Sequence, residues 1–154
     1  MKINSYYQAT ANRSVSGPEL QGEVVADVCV IGAGYTGLSA ALELAQAGYK
    51  VAVLEAETIG WGASGRNGGQ ICTGFSSGQA KIISQLGKAD AKRAFDISEE
   101  AKRLIVDRIE KYKIECDLQW GYMHCIPKPH QFADLKAWAE EYEELGYGGN
   151  TLLS

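Results

Sequence analysis

The sequence predicts an α/β fold, and three observations carry that prediction. An apolar run at residues 28–31, Val-Cys-Val-Ile, stops at the turn Gly32-Ala33-Gly34-Tyr35-Thr36-Gly37. Helix-forming residues follow as far as Ala47, and Gly48 stands where a C-terminal glycine cap belongs. A second strand is read over 50–55, Lys-Val-Ala-Val-Leu-Glu, and ends on the acid Glu55. Strand, glycine turn, helix, strand and acid, in that order, make a Rossmann-like β-α-β unit.

Residues 5–22 precede the unit and carry Ser, Asn, Gly and Pro18 without a sustained period. They read as part of a surface arm, residues 1–22, for which Tyr6 and Tyr7 are candidate anchors and a frayed tail is the alternative. The first strand, over 26–31, is expected to be buried, because parallel strands covered on both faces read as continuous apolar runs. Cys29 within it reads as a small buried hydrophobe.

In the turn, Gly32 permits a tight bend, Gly34 lets backbone approach a pyrophosphate, and Gly37 lets helix and strand pack closely. The helix that opens at Tyr35 and Thr36 turns its free N–H groups and positive dipole end towards the phosphates. One such charge–dipole contact contributes roughly 0.3–1 kcal/mol at a surface. Glu55 lies 23 residues past Gly32, close to the ~20-residue offset at which a carboxylate accepts hydrogen bonds from an adenosine ribose. These features alone admit a flavin domain, an NAD-dependent dehydrogenase domain or a nucleotide-binding module without catalysis.

The next stretch runs Gly60-Trp61-Gly62-Ala63-Ser64-Gly65-Arg66-Asn67-Gly68-Gly69-Gln70. Its glycines suit backbone at positive φ or in close approach to a ligand. It follows the carboxyl end of the second strand, where open α/β sheets bind ligands.

Beyond it, residues 78–86 and 88–113 read as helices, with Phe95, Ala101, Leu104, Ile105, Ile109 and Tyr112 as a core stripe in the second. Residues 117–126 read as a strand pair or bent strand broken at Gly121, which puts Tyr122, His124 and Ile126 on one face. Neither His124 nor His130 has a nameable acid–base partner, so both read as structural or solvent-exposed, and no catalytic residue is assigned. A last helix over 131–145 carries Phe132, Leu135, Trp138, Tyr142 and Leu145 on one stripe and a glutamate-rich solvated face. Gly146 ends it, and residues 151–153 read as the opening of a strand.

Composition sets outer bounds. The 154 residues suffice for one domain. A formal charge of −4 argues against a nucleic-acid surface. The longest apolar stretch, 28–33, is too short to span a bilayer, and polar and aromatic residues follow residue 5 where a secretory signal needs an apolar run. Cys29, Cys72, Cys116 and Cys125 form no Cys-x-x-Cys pair, so they read as reduced thiols and no metal site is assigned. A cytoplasmic location is the matching expectation.

Taken together, Gly32-Ala33-Gly34-Tyr35-Thr36-Gly37, Glu55 and the 60–70 stretch resemble the N-terminal part of FAD-dependent oxidoreductases of the D-amino-acid oxidase superfamily. The arm Ser5-Tyr6-Tyr7-Gln8-Ala9-Thr10-Ala11-Asn12 is similar to a leader found there. The resemblance implies FAD as cofactor and oxidation of a C–N bond in a small-molecule amine or amino acid, usually with dioxygen as final acceptor. It implies that Gly32, Gly34, Tyr35, Thr36 and Gly37 cradle the pyrophosphate and that Glu55 holds the adenosine ribose. Ala63, Ser64, Asn67, Gly68, Gly69 and Gln70 are implied along the ribityl chain and isoalloxazine. Arg66 is implied either beside the flavin or a phosphate, or in a structural ion pair.

Members of that superfamily are much longer than this chain. The expectation is therefore an incomplete FAD-binding domain, with an arm at 1–22, the β-α-β unit and flavin loop at 23–86, and the truncated start of an α+β substrate domain at 87–154. The remaining C-terminal portion is its expected partner, and the chain alone is expected to be inactive.

Overall fold

The computed structural model describes residues 5–12 and 16–153. Residues 1–4, 13–15 and 154 lie outside the described residues, and with them parts of the arm expected over 1–22 and the end of the segment expected over 87–154. The chain divides into two compact units, Met1–Gln70 and Ile71–Ser154.

The first unit opens with a short helix, α1 (Tyr6–Thr10), which the sequence did not predict because its residues carry no helical period. Ser5 caps it, its hydroxyl accepting the Gln8 N–H at 3.1 Å. Strands β1 (Val28–Ile31) and β2 (Val51–Leu54) pair in parallel, with Val28 opposite Val51 and Ile31 opposite Leu54. Helix α2 (Tyr35–Gln46) connects them and packs on both. It ends in a Schellman motif, as the sequence predicts: Gly48, at φ 93°, donates to the Ala45 carbonyl and Tyr49 to the Leu44 carbonyl. At the strand entrances the Asp27 carboxylate accepts the Lys50 N–H at 2.7 Å.

The expectation that β1 is buried is corrected. Val28 and Val30 are half-buried, whereas Cys29 is exposed and Ile31 is 87% exposed. Val30 lies close to Gly37 at the start of α2. Residue alternation turns Cys29 and Ile31 to the opposite face, and no described element packs there. A sequence written for two covered faces thus meets one cover.

The second unit is helical among the described residues. Helix α3 (Gln79–Tyr112) is broken at Gly87, whose φ 78° and ψ 163° are not helical, so its parts are those the sequence predicts on either side of residue 87. The Gln79 amide donates to the Ala91 carbonyl across the break at 3.2 Å, in buried surroundings. Helix α4 (Phe132–Glu144) is preceded by a 3-10 turn, Pro129–Gln131. Its end repeats the Schellman pattern, with Gly146 (φ 85°) donating to Glu143 and Tyr147 to Tyr142.

The core of this unit joins Phe95, Tyr142 and Leu145, with Trp138 and Tyr147 packed against them. Phe95 and Tyr142 meet edge to face at 5.6 Å between centroids, a preferred aromatic geometry. The stripe expected on α3 is corrected. Ala91, Phe95 and Ser98 are buried and Lys102, Val106 and Ile109 are half-buried, while Ala101, Leu104, Ile105 and Tyr112 are exposed. Two polar residues hid the true stripe. Ser98 donates to the Phe95 carbonyl and accepts the Gly74 N–H. Lys102 pairs with Glu99 at 2.9 Å, hydrogen-bonds Thr73 and lies over the Tyr147 ring.

The strands expected over 117–126 and 151–153 do not form. Both segments lack any ladder among the described residues, and unpaired extended backbone finds its hydrogen bonds elsewhere. His124 instead stacks on Trp138, centroids 5.8 Å apart and planes 21° from parallel.

Candidate functional site

The strongest concentration of constrained backbone lies where β1 runs into α2. The Gly32 N–H donates to the Leu54 carbonyl at 2.7 Å, carrying the ladder one residue past β1. Gly32 itself takes φ 98° and turns the chain. A Cβ on Gly37 would strike the Gly32 carbonyl and come within 3.3 Å of Val30 Cγ1. This is the close helix–strand approach that the glycine spacing predicts. Ala33, between them, is 1% exposed.

Gly34 is the N-cap of α2 and brings no side-chain cap. The groups that close the helix start come from later in the chain. Ser64 Oγ accepts the Tyr35 N–H at 3.0 Å and lies 2.9 Å from where a Gly34 Cβ would stand. Leu38 donates to the Gly34 carbonyl. Among the described residues, the N–H groups of Thr36 and Gly37 have no protein acceptor. Two donors at the positive end of a helix therefore remain for an anionic ligand.

Glu55 closes the other side. Its Oε2 accepts the Ala33 N–H at 2.8 Å and its Oε1 the Glu57 N–H at 3.1 Å. These bonds, the Ala33 one foremost, hold its pKa below the usual carboxylate value against a smaller opposing effect of burial. The carboxylate is therefore ionised at neutral pH. The two oxygens of a carboxylate offer more acceptor sites than these backbone N–H groups fill, so Glu55 can hold the turn and still accept from a hydroxyl.

The glycine-rich stretch is an ordered structure. Gly60 donates to the Ala33 carbonyl at 2.9 Å, tying the start of the loop to the turn. Ala63–Gly65 forms one 3-10 turn, and a Cβ on Gly65 would strike the Gly60 carbonyl. The Asn67 side chain bonds the Tyr35 hydroxyl at 3.0 Å, the Ala63 and Ser64 carbonyls at 3.1 and 2.9 Å, and the Gly69 N–H at 2.8 Å. Gly69 takes φ 71° and faces the Tyr7 ring of the arm. Gly68 faces the exposed side chain of Gln70.

Arg66 folds back on its own loop. Its Nε donates to the Trp61 carbonyl at 2.7 Å and its guanidinium lies 4.6 Å from the Trp61 ring centroid. The guanidinium thus stacks on an aromatic face of its own loop.

The structure thus gathers Gly32, Gly34, Tyr35, Thr36, Gly37, Glu55 and Ser64 around the start of α2, and sets Ala63 and Arg66–Gln70 in a loop fastened to it. Sequence reasoning missed Ala33, whose N–H and carbonyl bind Glu55 and Gly60. An alanine between two glycines carries no signal of such a role. No group of His, Cys, Asp and Glu suited to a metal ion occurs among the described residues, and none of their helices is long and apolar enough to cross a membrane.

Residues 27–154 match the family model described as FAD dependent oxidoreductase. The chain is 44% identical over 146 residues to a probable oxidoreductase OrdL of Haemophilus influenzae, covering 94% of this chain and 34% of that protein. It is 41% identical over 143 residues to gamma-glutamylputrescine oxidoreductase of Escherichia coli, covering 93% of this chain and 34% of that protein. An aerobic glycerol-3-phosphate dehydrogenase of Staphylococcus haemolyticus is 36% identical over 86 residues, which is 54% of this chain and 15% of that protein. The chain therefore spans about a third of the length of the first two relatives. No solved structure matches.

Proposed function

The chain belongs to the FAD-dependent oxidoreductase family, and from that premise we propose that its glycine turn and 60–70 loop hold FAD for the oxidation of a C–N bond in a small amine or amino acid. The relative named gamma-glutamylputrescine oxidoreductase favours a gamma-glutamylputrescine-like substrate and a place in putrescine catabolism. The single observation that carries the cofactor assignment is the fastening of the loop to the turn. Gly60 on Ala33, Ser64 on the Tyr35 N–H and Asn67 on the Tyr35 hydroxyl make one continuous cradle. Binding NAD requires the turn and the acid alone, and leaves that loop without a task.

The residues present fit the group. The open N–H groups of Thr36 and Gly37 would meet a pyrophosphate, with Gly34 bringing no side chain to the helix start and Gly37 letting α2 lie close to β1. Glu55, anionic at neutral pH, accepts from ribose hydroxyls. Ser64 spends its oxygen on the Tyr35 N–H and keeps its own hydrogen to donate. Ala63, Gly68, Gly69 and Gln70 offer backbone and a side-chain amide along the flavin half, while Arg66 and Asn67 hold the loop in shape. FAD, when bound, supplies the electron sink that the side chains of a protein lack. The contribution of this chain is to grip and orient it, and no general base is assigned within it.

Reconstitution with FAD followed by gel filtration and a visible spectrum tests the proposal. A yellow protein fraction with the flavin absorption bands is expected. A colourless fraction that binds NAD would overturn it.

A further inference from the structure

Asn67 is placed by the family resemblance among the groups that line the flavin, yet its side chain is already committed. The carboxamide has two N–H donors and one carbonyl oxygen. The oxygen takes the Gly69 N–H at 2.8 Å, and the amino group faces three acceptors, the Tyr35 hydroxyl and the Ala63 and Ser64 carbonyls, at 2.9–3.1 Å. The donor and acceptor ends are fixed by these neighbours, since a flipped amide would set its oxygen against two carbonyl oxygens and its amino group against the Gly69 N–H.

The partner that matters most is Tyr35. It is the first residue of α2, its N–H is held by Ser64 Oγ at 3.0 Å, and its hydroxyl reaches Asn67. One residue of the phosphate turn therefore carries the loop by both its backbone and its side chain. Tyr35 is 67% exposed, so packing does not explain its aromatic ring; the hydroxyl bond does.

We propose that Asn67 and Tyr35 form a latch that shapes the 60–70 loop on the glycine turn before any cofactor arrives, with Asn67 as a positioning residue rather than a flavin ligand. The consequence for binding rests on the FAD reading above. A preshaped loop loses less conformational freedom when a ligand binds. The latch therefore favours the ligand that uses the loop, FAD, over ADP, which ends at the phosphates.

Tyr35→Phe, Asn67→Ala and the double variant test this in two arms. In the ligand-free chain, amide exchange at Gly65, Arg66 and Gly69 should quicken in Tyr35→Phe, although none of those three N–H groups bonds Tyr35. In titrations, Tyr35→Phe should weaken FAD by about 3- to 10-fold, the range for one hydrogen bond, and ADP by less than about 2-fold. A merely structural role would move both ligands alike. The double variant should be no weaker than Asn67→Ala, because the two residues act through one bond.

Unchanged amide exchange in Tyr35→Phe would overturn the latch whatever the cofactor proves to be. Equal losses for FAD and ADP, or single-variant losses that multiply in the double variant, would overturn its role in binding. A wild-type chain that takes no FAD would instead remove the functional reading, and the exchange arm would still decide the latch.

Discussion

Among the described residues, the buried apolar side chains of the first unit are two alanines, Ala33 and Ala41, while the second unit buries Phe95, Tyr142, Leu145, Ile82, Ala91 and Ala139. The first unit is held at its site by hydrogen bonds that tie Glu55, Ser64, Asn67 and Gly60 to two residues of the turn, Ala33 and Tyr35. The second is held by aromatic rings in contact, Phe95 on Tyr142 and Tyr142 on Trp138. A ligand cradle needs its polar groups aimed outwards and its backbone close to the ligand, so it is built from glycines and local hydrogen bonds. A packed core needs bulk. The two units should therefore fail in different ways when residues are changed.

The largest effect is expected from Phe95→Ala. Phe95 is 2% exposed at the centre of the second unit's cluster, and such truncations cost about 3–5 kcal/mol. Chemical denaturation should show the loss, and ADP titration of the variant that still folds should show a turn that binds as before. Weakened ADP binding at full helicity would mean that the two units are not energetically separate.

Gly37→Ala reverses that pattern. Its Cβ would strike the Gly32 carbonyl, backbone that has no rotamer to escape with, so α2 must shift from β1 at a cost of about 1–3 kcal/mol. Cofactor and ADP binding should fall by at least tenfold while the aromatic signature of the second unit in near-ultraviolet circular dichroism stays unchanged. Wild-type affinity in this variant would deny the turn its role.

Glu55→Gln should act through pH. The Glu55 pKa is lowered in the fold by the Ala33 and Glu57 N–H bonds, so its contribution is fully present above the ordinary carboxylate value and is lost as pH falls through the lower folded value. Amide exchange at Ala33 should accelerate on acidification in the wild type, and that dependence should flatten in Glu55→Gln. An unaltered pH profile would show that another group controls the turn.

The smallest effects make a control. Gly48 and Gly146 both end helices at positive φ, 93° and 85°, with open space around a would-be Cβ. Alanine at either position should cost about 1–2 kcal/mol from the left-handed backbone alone. Equal losses in the two units, read by thermal melting, would show that helix ends obey one rule where cradle and core do not.

Glycines and periodic apolar residues made the first unit legible. The spacing of Gly32, Gly34 and Gly37 and the acid at Glu55 placed the turn, where Gly32 takes a positive φ, Gly34 faces Ser64, Gly37 faces the Gly32 carbonyl and Glu55 binds the Ala33 N–H. Burial of β1 was misread because Val28–Ile31 is apolar on both faces, and the sequence does not tell whether the second face is covered. The stripe of α3 was misread because Ser98 and Lys102 sit inside it, satisfied by Gly74, Phe95, Glu99 and Thr73. The strand expected over 117–126 failed for want of a partner, since alternation shows only that a strand could pair. Asn67 was legible as a loop residue, but its bond to the turn depends on a tyrosine 32 positions earlier.

The central claim is that turn and loop make one cradle for a flavin dinucleotide. Calorimetric titration of the same chain with FAD, ADP and NAD tests it most directly. The cradle predicts FAD bound at least tenfold more tightly than ADP, about 1.4 kcal/mol from contacts beyond the phosphates, and more tightly than NAD. Equal affinity for FAD and ADP, or a preference for NAD, would contradict it.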